Sequence, residues 1–494
     1  MAVDYDLAII GSSPAGLYAA AAAASLKARV ALVTLSAPGS DSFEEIYRGL
    51  CGKALTEVSS VAQRLAHAHQ FGIHSTQLEN APAPEEISVR FSEALEWAAG
   101  VASNLGEMHS PAVLASLGVD VIASAGQFYP KPHLGFEVTD RRIRARTYLL
   151  ATGSKPAVPE IEGLSATGYL TAETLCQLAK TKQLQQSLPQ SLIVIGGAPT
   201  GTELAQTFAR LGSSVTLVVK SPHILPHEDP EAALLVQAQL EAEGVRVLTN
   251  TEATQARLIE GKKWVQAGNF ALEGDEILLS SGEIPDVAFL NLESVGVKLH
   301  RRGIELNQKL QTTNPRIYAC GDAKGGGAQP HVAQYEAGVA LKNALFLPVF
   351  KVDYRGIPRA IFTDPQVARV GLTEAQATSR YGRDVMVLRQ YFKTVAKAQL
   401  RGETTGFCKI AVRRNGEILG ATVVGADAGE LIHSIALAVR QKIKIGAIAD
   451  MPHIWPAMSE IAGTTAAEWR SLRLAGNSRL QDFLEGWFNW RRGL

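Results

Sequence analysis

The chain has 494 residues, of which 46% are hydrophobic and 19% charged, and this length is enough for about three domains. Acidic and basic residues are equal in number, so charge gives no argument for a nucleic-acid partner. No apolar run approaches the roughly 20 residues that span a bilayer, and a buried-strand pattern within residues 1–10 predicts that no signal peptide precedes the fold. We expect a cytoplasmic protein.

The cysteines give no recognisable redox or metal motif. Cys51, Cys176, Cys320 and Cys408 are far apart in the sequence. No two of them have CxxC spacing or the spacing of metal ligands. We therefore expect four reduced thiols and no metal site.

Two segments, 5–34 and 192–220, share a strand–glycine turn–helix–strand pattern. Continuous apolar runs joined by one helix predict buried parallel strands in a right-handed βαβ unit. Each turn keeps the first and third glycines of GxGxxG, with Ser13 or Ala198 at the middle position. One such turn could be an ordinary strand–helix connection, but two in the right context predict two dinucleotide-binding domains.

Further strands end in small residues that suit a ligand site. Residues 148–154 and their near-copy 277–282 are buried-strand patterns followed by a glycine, and 316–322 delivers Asp322 after a strand. Ligands of open α/β sheets bind at the carboxyl ends of strands. From about residue 357 the pattern changes to alternating strands, including 409–412 and 419–424, and a helix over 429–441. This pattern predicts a separate α+β domain.

Four segments carry a resemblance to a known family: Ala151-Thr152-Gly153-Ser154, Ala319-Cys320-Gly321-Asp322, 361–365 and 370–374. Through them the chain resembles the pyridine nucleotide–disulfide oxidoreductase family, to about residue 463. The resemblance implies an α/β fold with two Rossmann-like dinucleotide-binding domains, for FAD and NAD(P), and an α+β C-terminal dimerisation domain that forms a homodimer. The expected bounds are 1–164 with 283–350 for FAD, 165–282 for NAD(P), 351–464 for dimerisation and 465–494 for an amphipathic tail.

The resemblance also implies site residues. Those expected at FAD are Gly11, Ser13, Pro14, Ala15, Gly16, Thr34, Lys53, Ala151, Thr152, Gly153, Gly321 and Asp322. Those expected at the nicotinamide dinucleotide are Gly196, Ala198, Gly201, Glu203, Lys220 and Gly282. Lys53 matches the family lysine beside the flavin N5, and Glu203 matches its partner; both are the expected catalytic residues. The alternative is that both are ordinary helix residues.

The chain departs from the family at its thiol chemistry. The two cysteines of the family's CxxxxC fall on Glu44 and Gly49, while Cys51 stands where the family has proline. The position of the family's acid–base histidine holds Trp455, and an indole N–H cannot exchange protons near neutral pH. We therefore expect that dithiol–disulfide exchange is absent and the disulfide site is redox-inactive.

Three further departures concern the nucleotide sites. Thr34 replaces a glutamate that binds the adenosine ribose of FAD in the family, which predicts a weaker grip on FAD. Pro199 replaces a residue that covers the flavin, and Glu283 replaces an arginine without an evident reason. Lys220 stands where an acidic residue would select NADH by binding its ribose hydroxyl. A lysine there favours the 2′-phosphate of NADPH, with His223 assisting in phosphate binding, so NADPH is expected in preference to NADH. The alternative is that Lys220 is a solvated loop residue.

The tail has a helical pattern with one apolar face, formed by Leu480, Phe483, Leu484, Trp487 and Phe488. These residues follow i, i+3, i+4, i+7, i+8 spacing. The face either packs on the protein or its dimer, or makes peripheral contact with a membrane through residues 478–494. The first alternative is preferred.

Two functions remain open. The first is an FAD-dependent NAD(P)H oxidoreductase of the diaphorase type, in which electrons leave reduced flavin directly for a small acceptor such as a quinone. The second is a non-catalytic flavin- or nucleotide-binding scaffold or sensor descended from a disulfide reductase. Sequence cannot name the acceptor, because acceptor pockets are formed by shape and not by a motif.

Overall fold

A computed structural model describes residues 3–35, 48–73, 89–108, 110–139, 141–178, 188–327 and 329–494, without the side chains of 48 and 176–178. Glu44, one of the two positions on which the family's cysteines are expected to fall, lies outside these residues. The contacts divide the chain into a first unit, residues 1–220 and 250–352, and a second unit, residues 221–249 and 353–494. The predicted domain bounds differ from this division and stay predictions.

The first unit contains a five-stranded parallel sheet. Its strands lie in the order Ile317–Ala319, Ala145–Leu150, Tyr5–Ile10, Val30–Val33 and Val119–Ile122. Strand Tyr5–Ile10 is buried on both faces, as its continuous apolar sequence predicts. Leu7 and Ile9 pack with two helices, Pro14–Ser25 and Pro330–Leu345.

The opposite face of this sheet is covered by β-structure. Ala8 and Ile10 pack with Phe128 and Phe136, because successive side chains of a strand point to opposite faces. These phenylalanines belong to an antiparallel sheet of strands Gly126–Tyr129, Gly135–Val138 and Arg141–Ile143. The result is the first of the two predicted dinucleotide-binding arrangements.

The second glycine turn belongs to another parallel arrangement in the same unit. Strand Ser191–Ile195 lies between Ser214–Val218 and Glu276–Leu279, parallel to both. Its turn leads into helix Pro199–Arg210. The other helices of this unit are Arg48–Ala66, Phe91–Glu107, Pro111–Ser116, Leu164–Thr167 and Ala172–Leu178. An antiparallel sheet is formed by strands Ala253–Ile259, Lys262–Ala267 and Phe270–Gly274. Two short strand pairs are Ser154–Pro156 with Glu283–Pro285 and Leu299–His300 with Gly303–Ile304.

The second unit is α+β, as predicted. Its antiparallel sheet runs in the order Arg359–Ile361, Gln366–Gly371, Ile418–Gly425, Phe407–Arg413 and Val385–Tyr391. Its helices are Pro230–Ala242, Glu374–Tyr381, Ala396–Arg401, Ala428–Arg440, Ile445–Asp450, Glu460–Ala475 and Ser478–Arg492, and its remaining strand is Arg246–Leu248. The predicted helix over 429–441 and strands 409–412 and 419–424 are confirmed.

A buried ion cluster in this unit was not predicted from sequence. The ammonium of Lys409, whose side chain is 5% exposed, lies 2.9 Å from Asp229, 2.9 Å from Glu231 and 3.0 Å from Glu374. The cluster joins the start of helix Pro230–Ala242 to the sheet. A buried cation needs such partners because the low-dielectric interior otherwise penalises its charge.

The C-terminal residues are helical, as the periodic pattern predicts. Helix Glu460–Ala475 runs across the expected boundary at residue 464, and its Trp469 is buried. Helix Ser478–Arg492 contains no buried residue. In the described part of the chain, none of the helices combines the length and apolar character that a membrane crossing requires.

Candidate functional site

The first glycine turn is built for close backbone approach. Gly11 has a φ of +106°, and a Cβ there would overlap the carbonyl oxygen of Ala151. A Cβ on Gly16 would overlap the carbonyl oxygen of Gly11. Helix Pro14–Ser25 begins within the turn, with Pro14 at its first position and Ser13 as N-cap. Proline suits this position because the first N–H of a helix has no intrahelical partner.

The end of strand Ala145–Leu150 lies against this turn. The N–H of Ser13 donates to the carbonyl of Ala151 at 3.3 Å, and a Cβ on Gly153 would lie 3.7 Å from that of Ser13. The hydroxyl of Thr152 is buried and, among the described residues, has no hydrogen-bond partner. A buried hydroxyl without a partner costs free energy, so this atom is suited to a polar ligand.

A third strand end completes the edge. A short helical turn, Gly321–Lys324, follows strand Ile317–Ala319 and contains Asp322. Gly321 has a φ of +62°, and its Cβ would lie 3.7 Å from that of Ala15. The fold thus brings the glycine turn, the 151–153 turn and the Gly321–Lys324 turn to one edge of the sheet.

Glu336 organises this third strand end and was missed by sequence reasoning. Its fully buried carboxylate accepts the N–H of Gly321 at 2.8 Å and pairs with the ammonium of Lys324 at 2.9 Å. The available signal was its spacing: Glu336 shares a buried helical face with Val332, Ala333 and Ala337. An acidic residue on such a face needs a specific partner.

These observations fit FAD. The glycine turn leads into the N-terminus of helix Pro14–Ser25, and the N–H groups and positive dipole end of a helix N-terminus bind pyrophosphate. The positive-φ glycines keep the turns free of side chains, and the Thr152 hydroxyl is available for a polar contact. Thr34, buried at the end of strand Val30–Val33, accepts the hydroxyl of Ser12 through its carbonyl at 3.4 Å; its predicted contact with ribose stays a prediction.

The second glycine turn repeats the arrangement. Gly196 has a φ of +116°, and a Cβ there would overlap the carbonyl oxygen of Ser280. A Cβ on Gly201 would overlap the carbonyl oxygen of Gly196. Ala198 is the N-cap of helix Pro199–Arg210, and Gly282 follows with a φ of +107°. This turn therefore has the geometry of a second dinucleotide site.

Lys53 and Glu203 are brought together from helices 150 positions apart in sequence. Lys53 donates to the Glu203 carboxylate, and the side chains are 39% and 3% exposed. On the same contact face, Thr56 lies 2.9 Å from Thr207 between their hydroxyl oxygens. A Cβ on Gly52 would lie 3.3 Å from Leu204, so the small residue lets the two helices approach closely.

Lys220 lies on the surface after strand Ser214–Val218. Its ammonium is 2.6 Å from the Glu252 carboxylate, and the two side chains are 75% and 59% exposed. The carboxylate offsets part of the positive charge that was expected to favour a phosphate. Exposed pairs of this kind are worth less than about 1 kcal/mol, so the pair can open to admit a ligand.

Two of the family departures now have a structural setting. Glu283 lies in the strand pair of Ser154–Pro156 with Glu283–Pro285 and accepts the Ser154 hydroxyl at 2.7 Å. In the second unit, Trp455 is 72% exposed and Ile454 is 80% exposed. His453 packs closely on Gly463, where a Cβ would overlap its imidazole.

The prediction of four reduced thiols is wrong. Cys51 is disulfide-bonded and fully buried, while Cys320 and Cys408 are free and buried. Burial raises the pKa of the Cys408 thiol to about 12. The prediction failed because it considered only cysteines close in sequence, and sequence distance does not limit which cysteines a fold can bring within bonding distance. Gly49, where the resemblance predicts one of the family's two cysteines to fall, is exposed in the first turn of its helix.

Comparisons with known proteins agree with this architecture. The family model of the pyridine nucleotide-disulphide oxidoreductases matches residues 5–337, and the model of their dimerisation domain matches residues 357–466. A mercuric reductase of Staphylococcus aureus is 32% identical over 464 residues, covering 90% of this chain and 79% of that protein. A dihydrolipoyl dehydrogenase of Bacillus subtilis is 32% identical over 461 residues, covering 92% and 96%.

A solved structure has the same fold. LpdA from Mycobacterium tuberculosis superposes with a TM-score of 0.82 at 26% identity, covering 94% of this chain and 99% of that one. Members of the matched family use FAD and NAD(P)H, and the matched dimerisation domain supports a homodimer. The chain belongs to the pyridine nucleotide–disulfide oxidoreductase family.

Proposed function

We propose that the chain is an FAD-dependent oxidoreductase that takes electrons from NAD(P)H and passes them from reduced flavin directly to a small acceptor such as a quinone. When bound, FAD supplies the two-electron chemistry that links a nicotinamide to the acceptor. The observation that carries the proposal is the Lys53–Glu203 pair. The chain has this pair, whereas the resemblance predicts that other residues replace the family's cysteine pair and acid–base histidine.

Lys53 has a chemical role that accounts for this pair. A fixed cation beside the flavin stabilises negative charge that develops during reduction, and Glu203 holds the ammonium in position. A partly buried ion pair is seldom retained for stability alone, because apolar residues often serve as well. The glycine turns and Asp322 would bind the nucleotides, as the family resemblance implies.

Reduction of an external disulfide is the less favoured reaction. Thiol–disulfide exchange requires an accessible thiolate, and Cys51 is fully buried. Trp455 cannot relay the proton that such exchange needs. The chain should therefore transfer electrons to a small one- or two-electron acceptor that reaches the flavin.

The acceptor is tested with purified, flavin-loaded protein. NADPH oxidation is followed with a water-soluble quinone, oxidised lipoamide or oxidised glutathione as acceptor. The expected result is turnover with the quinone and none with either disulfide. Efficient turnover with a disulfide would overturn the proposed acceptor class and leave the NAD(P)H–flavin half intact.

We further propose NADPH as the preferred coenzyme, because Lys220 can move from Glu252 to a 2′-phosphate. Lys220→Gln should lower kcat/KM for NADPH about tenfold, which corresponds to about 1.4 kcal/mol, and leave that for NADH unchanged. Lys262→Gln, which removes another surface lysine of the same unit, is the matched control. Equal or higher efficiency of the unmodified chain with NADH would refute this preference.

The second candidate is a non-catalytic nucleotide-binding scaffold, which Thr34 and Trp455 favour because both replace functional residues of the family. One anaerobic experiment separates the two candidates. NADPH should bleach the yellow flavin spectrum of the enzyme; a colourless chain that cannot be reconstituted with FAD would favour the scaffold.

Helix Ser478–Arg492 is proposed to pack on the second subunit, since its apolar face is exposed within this chain. Removal of residues 475–494 should then weaken dimerisation in analytical ultracentrifugation without changing vesicle binding. Loss of binding to anionic vesicles would instead support the peripheral membrane alternative. The cytoplasmic location stays a prediction.

A further inference from the structure

Glu336 joins the two ends of the turn that contains Asp322. One oxygen of its carboxylate, Oε2, accepts the N–H of Gly321 at 2.8 Å, and the other, Oε1, lies 2.9 Å from the ammonium of Lys324. Gly321 and Lys324 are the first and last residues of the turn, and Asp322 lies between them. The family resemblance assigns neither Glu336 nor Lys324 to a site. We propose that Glu336 and Lys324 form a positioning pair that fixes this turn for FAD, so that the affinity for FAD depends on the pair.

Both charges of the pair lie where water solvates them poorly. The side chain of Glu336 is fully buried, and that of Lys324 is 24% exposed. A charge in the low-dielectric interior needs a partner of opposite charge, and hydrogen bonds that involve a charged group are stronger than neutral ones. Both contacts of the Glu336 carboxylate are of this charge-assisted kind. The pair therefore holds the turn more firmly than an exposed ion pair would.

Backbone packing restricts the same turn. A Cβ on Gly321 would lie 3.1 Å from that of Ala333, so the start of the turn rests directly on the helix that carries the carboxylate. Just after the turn, a Cβ on Gly325 would overlap the carbonyl oxygen of Arg302. These contacts fix the position of the turn, and the carboxylate joins its two ends. Little freedom remains for the backbone of Asp322.

A fixed turn favours binding because less conformational entropy is lost when the ligand binds. The family resemblance places Asp322 at FAD, and a carboxylate accepts hydrogen bonds well only when its distance and direction are suitable. A turn held at both ends keeps this orientation. The inference rests on FAD as the cofactor of the proposed function and is independent of the electron acceptor.

The first test examines the turn without flavin. Amide hydrogen exchange of the full chain, freed of flavin, is followed by mass spectrometry in peptides that cover residues 321–325. Glu336→Gln should speed exchange there about tenfold. Glutamine has a single oxygen and an NH2 group, and Gly321 and Lys324 both present donors, so one end of the turn loses its contact. Unchanged exchange would overturn the proposal, whether or not the chain binds FAD.

The second test measures the Kd for FAD by titration, at a temperature at which circular dichroism shows each variant to be folded. Glu336→Gln should raise this Kd about 100-fold and Lys324→Met about tenfold. Lys263→Met is the matched control, because it breaks another ion pair of the same unit, with Glu276, whose side chains are 15% and 16% exposed. This control should leave the Kd for FAD unchanged. An unchanged Kd in Glu336→Gln would overturn the proposal.

A double substitution separates positioning from a general loss of stability. When Lys324→Met is added to Glu336→Gln, the glutamine no longer faces a cation, and its oxygen can accept the N–H of Gly321. The affinity for FAD should then recover about tenfold relative to Glu336→Gln alone. Two losses that simply add would show that the residues do not act as a pair. An unmodified chain that binds no FAD would overturn the proposed function as well, whereas normal FAD binding by Glu336→Gln would overturn the positioning pair alone.

Discussion

Replacing Lys53 by methionine would test both the stability and the chemistry assigned to the ion pair. The substitution keeps an unbranched side chain that is one atom shorter and removes its charge. It leaves the Glu203 carboxylate, 3% exposed, without the cation that it contacts. A buried carboxylate that loses its partner is destabilised because the protein interior solvates charge poorly.

The expected size follows from the exposure of the two groups. Breaking a fully buried pair costs about 3–5 kcal/mol, and an exposed pair contributes less than about 1 kcal/mol. Lys53 is 39% exposed, so water screens part of the interaction and we expect a loss of about 2 kcal/mol in the free energy of unfolding. Loss of a fixed charge at the reacting centre should also slow flavin reduction about 100-fold, comparable to removing one preorganised donor.

Stopped-flow measurement of flavin reduction by NADPH gives the rate, and guanidinium unfolding gives the stability. Lys262→Met is the control, because this exposed lysine pairs with Asp275 away from the glycine turns and should change the rate less than twofold, as expected for the loss of an exposed ion pair. Adding Glu203→Gln to Lys53→Met should restore part of the stability and none of the rate. An unchanged reduction rate in Lys53→Met would remove Lys53 from the mechanism.

Three further predictions follow from the packing. Lys409→Met should lower the free energy of unfolding of the second unit by about 3–5 kcal/mol, because it leaves the Asp229 carboxylate, 3% exposed, without its cation. Denaturant unfolding followed by circular dichroism measures this, and a change within about 0.5 kcal/mol would contradict it. Gly201→Ala should weaken NADPH binding about tenfold and retain flavin, whereas Gly16→Ala should lose flavin, because each new Cβ would overlap a carbonyl oxygen of its own turn. Equilibrium titration measures NADPH binding, and the visible spectrum measures bound flavin. Gly100→Ala is the control, because a Cβ there meets no atom within 4 Å. Burial raises the pKa of the Cys408 thiol from 9.0 to about 12, so as the pH rises the unfolded chain releases this proton before the folded chain does. The free energy of unfolding should therefore fall as the pH rises from about 9 to about 12. Cys408→Ala should reduce that fall in alkaline denaturation, and an identical pH profile would refute the role of this thiol.

The sequence predicted local structure well where one physical pattern dominated. The buried strands at 5–10 and 191–195 were recognised because long apolar runs between glycine turns fit parallel strands. The antiparallel strands 407–413 and 418–425 were recognised as a change of pattern. The tail helix over 478–492 was recognised from its spacing of apolar residues.

Interactions between distant segments were less accessible. The Lys53–Glu203 pair was anticipated only through the family resemblance, since neither helix pattern indicates its partner. Glu336 and the Lys409 cluster were not anticipated, because a charged residue in a sequence does not reveal whether folding surrounds it with opposite charge. The Cys51 disulfide was predicted to be absent, because no other cysteine lies near Cys51 in the sequence.

By itself, the sequence indicated the two strand–glycine turn–helix–strand segments, the change to an α+β pattern from about residue 357 and the family to which the chain belongs. Tertiary structure alone decided that Cys51 is bonded, that Glu336 holds the Gly321 turn and that Lys409 is buried among carboxylates. The physical reason is range. Apolar periodicity and glycine conformation act within a few residues, whereas covalent cross-links and buried ion pairs depend on which distant segments the folded chain places side by side.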